Sequence, residues 1–140
     1  MSAEQNKAVV RRWLAEVWGK GNLAVVDELA GSGFVWHWSP PGFGSDREGY
    51  KQFLAMDFDA FDDVSCSTED VVAEGDRVAS RWTWRGTHKK EYMGAAPTGK
   101  QVALTGICVN RFADGKIVEE WCEMDMMGMM QQLGAASPPA

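Results

Sequence analysis

The chain has 140 residues, 14 basic against 20 acidic, for a formal net charge of −6, and 45% of it is hydrophobic, with seven Trp, six Phe and two Tyr. Roughly 150 residues make one domain with one core; dispersed Lys and Arg under a negative balance argue against nucleic acid as a partner, and no apolar run nears the ~20 residues of a membrane span. Cys66, Cys108 and Cys122, widely spaced in a chain with two histidines, speak against structural zinc and a disulfide framework, and an opening without an apolar stretch points to the cytoplasm.

In chain order, Ser2 and Gln5 form a capping box. Val10, Trp13, Leu14 and Val17 follow at i, i+3, i+4 and i+7, so the spacing predicts an amphipathic helix over 3–18. Gly19 and Gly21 stop it, and Asn22 caps a second, short helix through Ala30 before Gly31-Ser-Gly33 breaks the pattern. Phe34 to Trp38 alternates Phe34, Trp36 and Trp38 against Val35 and His37. Either face suits the interior, and the Pro/Gly-rich loop 39–45 follows.

Asp46 begins a third helix with Tyr50, Phe53, Leu54, Phe58 and Phe61 on one stripe. Asp57 takes the i+7 slot, on or at the margin of the face that should be buried; a narrow stripe would let it reach solvent with Asp59, Asp62 and Asp63. From Val64 the period becomes two. Residues 64–73 and 77–88 pair across Glu74-Gly-Asp76, with Val78, Ser80, Trp82, Trp84, Gly86 and His88 on one face. After the loop Lys89 to Lys100, residues 101–112 and 116–125 pair across Ala113-Asp-Gly115.

In the last strand, alternation groups Trp121, Glu123 and Asp125 on one face. A carboxylate held beside an indole in an apolar cleft loses hydration, so its pKa rises toward the range where it exchanges protons with a carbon acid. The alternative is that Asp125 caps a methionine-rich helix, 126–133. Residues 1–134 read as the domain and 135–140 as a flexible tail. Helices first and long strands after make an α+β domain, a curved antiparallel sheet wrapped around the N-terminal helices as a cone with an apolar cavity.

The segments Asn6-Lys-Ala-Val-Val-Arg-Arg-Trp13, Val25-Val-Asp-Glu-Leu29, Phe34-Val-Trp-His37, Glu48-Gly-Tyr-Lys-Gln-Phe53, Glu74-Gly-Asp-Arg-Val78, Arg85-Gly-Thr-His88, Met93-Gly-Ala-Ala-Pro-Thr-Gly99 and Arg111 to Trp121 resemble the SnoaL-like polyketide cyclases of the nuclear transport factor 2-like superfamily. The resemblance implies a cofactor-free, metal-free aldol ring closure on a small apolar or aromatic carbonyl compound, in a homodimer. It places the acid–base Asp on Asp125 and makes His37 and His88 its pocket companions. Trp36, Phe58, Phe61, Trp82, Trp84, Val109, Arg111, Trp121 and Met127 are the expected ligand contacts. A ketosteroid-isomerase-like enzyme and a non-catalytic binder of an apolar molecule are the alternatives. Where relatives read Gly-Thr-His-Thr-Gly, this chain has Gly86-Thr-His-Lys-Lys90, two cations expected at the cavity rim that would suit a substrate bearing a carboxylate or phenolate.

Overall fold

A computed structural model describes residues 2–134; the expected tail at 135–140 lies outside them. Helix α1 (Ala3–Arg12) starts on the expected capping box, with Gln5 N–H donating to Ser2 Oγ at 3.1 Å and Ser2 N–H to Gln5 Oε1 at 2.8 Å. The helix then widens into a π-helical segment, Trp13–Trp18, rather than continuing as α-helix to 18. Such a segment is uncommon and concentrates at functional sites. Here it delivers both Trp13 and Trp18 to the interior side of the domain.

Helix α2 (Leu23–Leu29) leads into strand β1 (Ala30–Trp36). Gly31-Ser-Gly33 therefore lies inside a strand, at its irregular point: Ala30 pairs with Ile117 and Val35 with Glu119 of β5, and the register shifts between them. Phe34 and Trp36 face the core, while Val35 and His37 face out. Helix α3 (Arg47–Ala60), capped by Asp46 through Gly49 N–H at 2.9 Å, packs across the sheet. It ends one residue before Phe61, which opens strand β2 (Phe61–Glu74) instead of closing the helical stripe.

Strands β3 (Arg77–His88), β4 (Gln101–Ala113) and β5 (Lys116–Met124) complete a sheet of order β1-β5-β4-β3-β2. The two expected hairpins are present, and β1 pairs with β5 in parallel, an addition to the antiparallel ladder. Helix α4 (Met126–Gln132) closes one end. The sheet's inner face carries Val78, Trp82, Trp84, Val102, Leu104, Phe112 and Ile117, and α1, the π-helical segment and α3 lie against it, so the core sits between helices and sheet.

Cys108 and Cys122 face each other across β4 and β5 and are joined as a disulfide. That corrects the expectation against disulfides: spacing in sequence says nothing of cross-strand neighbours, and register decides. Cys66 is the one free thiol among the described residues, and burial pushes its pKa up to about 12.

Candidate active site

An enclosed hollow lies where α3, α4, the π-helical segment and the inner sheet face converge. Its walls are Trp18, Phe53, Trp82, Trp84, Leu104, Tyr92 and the methionines Met124, Met126 and Met129, and its one carboxylate is Asp57. The volume is about 20 Å³, room for about one water molecule. Two features make the walls. Gly106 lets Trp82 lie across β4, since a Cβ there would stand 2.5 Å from the indole. Trp84 donates its indole N–H to the carbonyl of Trp18 at 3.0 Å, tying sheet to π-helical segment.

Asp57 is 5% exposed and its Oδ1 has no hydrogen-bond partner. Burial pushes its pKa up to about 7, and the Tyr92 hydroxyl works in the opposite direction. The desolvated carboxylate favours its neutral form because no cation lines the hollow to compensate the charge. Burial raises the Tyr92 pKa in turn, with Asp57 adding to it, so the phenol stays protonated and can donate. An acid with a near-neutral pKa beside a phenolic donor, in an indole cage, is suited to removing and returning a proton.

A second buried carboxylate belongs to a closed structural network. Glu120 accepts from Asn110 Nδ2 at 2.8 Å, the Tyr50 hydroxyl at 2.9 Å and Trp13 Nε1 at 3.1 Å. Burial raises its pKa and these donors oppose the rise. The Tyr50 hydroxyl also accepts from Trp18 Nε1 at 2.6 Å, so this network orients one wall of the hollow.

Of the residues expected from sequence, Trp82 and Trp84 line the hollow. Trp36 is buried in the aromatic core against Tyr50 and Phe53, and Phe61 packs on Trp84, Tyr92 and His88. His88 is fully buried, its Nδ1 turned to Thr98.

Several expectations are corrected. Asp125 is exposed and caps α4, its Oδ1 accepting from Gly128 N–H at 2.9 Å. It shares the outer face with Glu123, so alternation along β5 points it away from the hollow. It lines an open groove of about 470 Å³ on the outer face, and Trp82 and Met124 form the wall between that groove and the hollow.

His37 also lies outside, stacked on Trp121 at 4.8 Å with Nε2 2.8 Å from Glu119. Arg111 reaches the same Glu119 at 2.6 Å, and Arg77 sits over Trp121. Val109 faces outward beside Arg77. Met127 is 63% exposed, and Phe58 packs against Gly21. The two rim cations are already neutralised: Lys89 pairs with Asp62 at 2.7 Å and Lys90 with Asp59 at 2.9 Å.

Asp57 and Tyr92 are the residues sequence reasoning did not assign. The signal for Asp57 was a carboxylate inside an apolar stripe, and the expectation that it reaches solvent is overturned by its burial. Tyr92, in a loop without periodicity, had no signal.

The sequence matches the family model of the SnoaL-like polyketide cyclases over residues 8–133. It is similar to the structure of IdmH from Streptomyces antibioticus, a candidate polyketide cyclase, at 34% identity over 91% of this chain and 96% of that one, with a TM-score of 0.78. AclR from Streptomyces galilaeus, a candidate hydroxylase, is 27% identical over 97% and 100% of the two chains, TM-score 0.85. TsrD from Streptomyces laurentii, at 22% identity over 97% and 99% with a TM-score of 0.88, shares the fold. No curated protein matches the sequence.

Proposed function

The chain belongs to the SnoaL-like polyketide cyclase family, and from that premise we propose that it catalyses an aldol-type ring closure of a small apolar or aromatic carbonyl compound, with Asp57 as acid and base. The observation that carries this is the buried Asp57 carboxyl, its Oδ1 without a hydrogen-bond partner and its pKa pushed up to about 7, inside an indole-walled hollow. Asp57 takes the proton from a carbon flanked by carbonyls, and Tyr92 O–H donates to the enolate oxygen that forms. The enolate carbon then bonds to a second carbonyl carbon, and the resulting alkoxide receives the proton back from the Asp57 acid. Indole and methionine walls exclude water and fold the substrate toward closure. Unbranched Met124, Met126 and Met129 are walls that can yield to a larger guest.

A second reading keeps Asp125 as the acid–base group, acting from the open groove it lines with Trp82, and is supported by that groove's greater volume of about 470 Å³. The test is turnover of a panel of β-dicarbonyl and aromatic ketone substrates by Asp57→Asn and Asp125→Asn. A general acid–base group contributes about 10²- to 10⁴-fold, so Asp57→Asn should lose that much and still bind, while Asp125→Asn keeps most of the rate. The reverse result favours the second reading, and no turnover by the wild-type chain leaves a binder of apolar molecules.

We further propose that the active form is a homodimer paired through the outer sheet face. Val72 and Ile107 are exposed there, with Val109 and Trp121 half-buried beside them.

A further inference from the structure

We propose that the segment Lys89–Lys100 is the cover of the hollow and that His88 is the positioning residue that latches it shut, holding Tyr92 over Asp57. The inference rests on the reading that the hollow receives the substrate.

A hollow of about 20 Å³ admits no organic substrate until part of its wall moves. Its lining comes from α3, α4, the π-helical segment and strands β3, β4 and β5, with one exception, Tyr92. The segment that carries Tyr92 has little backbone support of its own. Tyr92 and Ala95 bond to each other, at 3.0 and 2.8 Å, around a tight turn in which Met93 (φ 47°) and Gly94 (φ 85°) both take left-handed backbone. A non-glycine residue is held in that region against a steric cost. Such a turn needs something outside itself to keep it in place.

His88 supplies this. Its ring, 0% exposed and packed on Phe61, takes the Thr98 N–H on Nδ1 at 3.2 Å and contacts Thr98 Oγ1 at 3.1 Å. Its backbone clamps the same end of the segment, accepting from Gly99 N–H and donating to Lys100 O, both at 2.9 Å. With Nδ1 accepting, the ring proton of the neutral imidazole lies on Nε2, which is buried without a partner. A buried donor left unsatisfied costs stability, so this histidine is not placed for the stability of its own ring.

The other removable wall is α4, and it is better fastened. Gln132 exchanges hydrogen bonds with both backbone groups of Ala103, at 2.8 and 2.9 Å, and Asp125 N–H donates to Thr105 O at 3.0 Å. Beyond the latch, the segment is tied at its start, where Lys89 N–H and Lys90 N–H donate to Ala60 O at 2.9 and 3.2 Å, and by the exposed, solvent-screened pairs Lys89–Asp62 and Lys90–Asp59. The latch is therefore the side-chain tie at the far end of the segment, and its loss frees residues 91–98 between the two ends. Among the described residues, Tyr92 is the one titratable group besides Asp57 that lines the hollow.

The test needs no substrate. Amide hydrogen exchange across residues 91–99 and NMR titration of the Asp57 carboxyl are measured in the wild type, His88→Leu, Thr98→Ala and Tyr92→Phe. Losing the latch should speed exchange in the segment about five- to tenfold, the effect of one ordinary hydrogen bond or slightly more, and leave β3 and β4 unchanged. Water then reaches Asp57, and its titration midpoint falls toward the ordinary carboxylate range. Tyr92→Phe, with the cover shut and only the hydroxyl missing, moves the midpoint upward. Should His88→Leu fail to fold, Thr98→Ala carries both readouts. Unchanged exchange in the latch variants overturns the proposal, and so does faster exchange with an unmoved midpoint, since the segment would then move without covering Asp57. A retained turnover in Asp57→Asn would sink the functional reading alone and leave these results standing.

Discussion

Replacing Asp57 by Asn should make stability less dependent on pH, in a direction that follows from burial. The folded carboxyl has a pKa of about 7 against an ordinary value of 3.8, so between those two values the folded chain holds a proton that the unfolded chain has released. Stability therefore falls as pH rises through that window and levels off above about pH 7; below both values neither state pays for the charge. At roughly 1.4 kcal/mol per pKa unit, the three-unit displacement amounts to about 4 kcal/mol above pH 7, and about 3 kcal/mol is lost between pH 5 and pH 8. Asn carries no titrating proton, so Asp57→Asn lacks this slope. Urea unfolding of both proteins at unit intervals from pH 5 to pH 8 gives the answer. The stability of the variant relative to the wild type should grow by about 3 kcal/mol across the series. A constant difference would mean that Asp57 ionises freely in the folded chain, and the argument from desolvation would fail.

Four other outcomes are expected. Asp125→Ala should cost about 1 kcal/mol, as loss of an N-cap does, and Gly128→Ala should destabilise despite alanine's better helix propensity, because its Cβ would lie 2.2 Å from Asp125 Oδ2; denaturant midpoints report both. Tyr50→Phe takes away the acceptor of the Trp18 indole N–H and should cost about 1–3 kcal/mol by urea unfolding, a loss below about 0.5 kcal/mol counting against the network. Sedimentation at micromolar concentration should find a dimer, and Ile107→Glu, on the exposed outer face, should shift it to monomer; a wild-type monomer would refute the pairing.

The fold was legible because its strongest signals are local. The turns at Glu74-Gly-Asp76 and Ala113-Asp-Gly115 separate runs of period two, and both hairpins follow from them. The stretch Gly31-Ser-Gly33 misled for the opposite reason, since it is the irregular middle of a strand held on either side, at Ala30 and Val35, by β5, far along the chain.

The site was legible in part. Alternation put Trp82 and Trp84 on one inward face, and both line the hollow. Between Arg111 and Phe112 of β4 the register slips, leaving Val118 of β5 as the extra residue, so that Ile117 and Glu120, three residues apart, both point inward and the phase reverses. Trp121 and Glu123 share a face as expected, but it is the outer one, which carried the expected site to the wrong side of the sheet. Asp57 shows what a helical stripe does and does not encode: spacing gives the angle of a side chain, not what closes over it. Here the cover is Tyr92, brought in by a loop that no periodicity describes.

The most direct check is the titration of the Asp57 carboxyl by carbon-13 NMR in the substrate-free protein. The account predicts a midpoint near 7. A midpoint in the ordinary range near 4 would contradict it, because a carboxylate that is readily ionised and solvated there cannot be the desolvated acid–base group proposed.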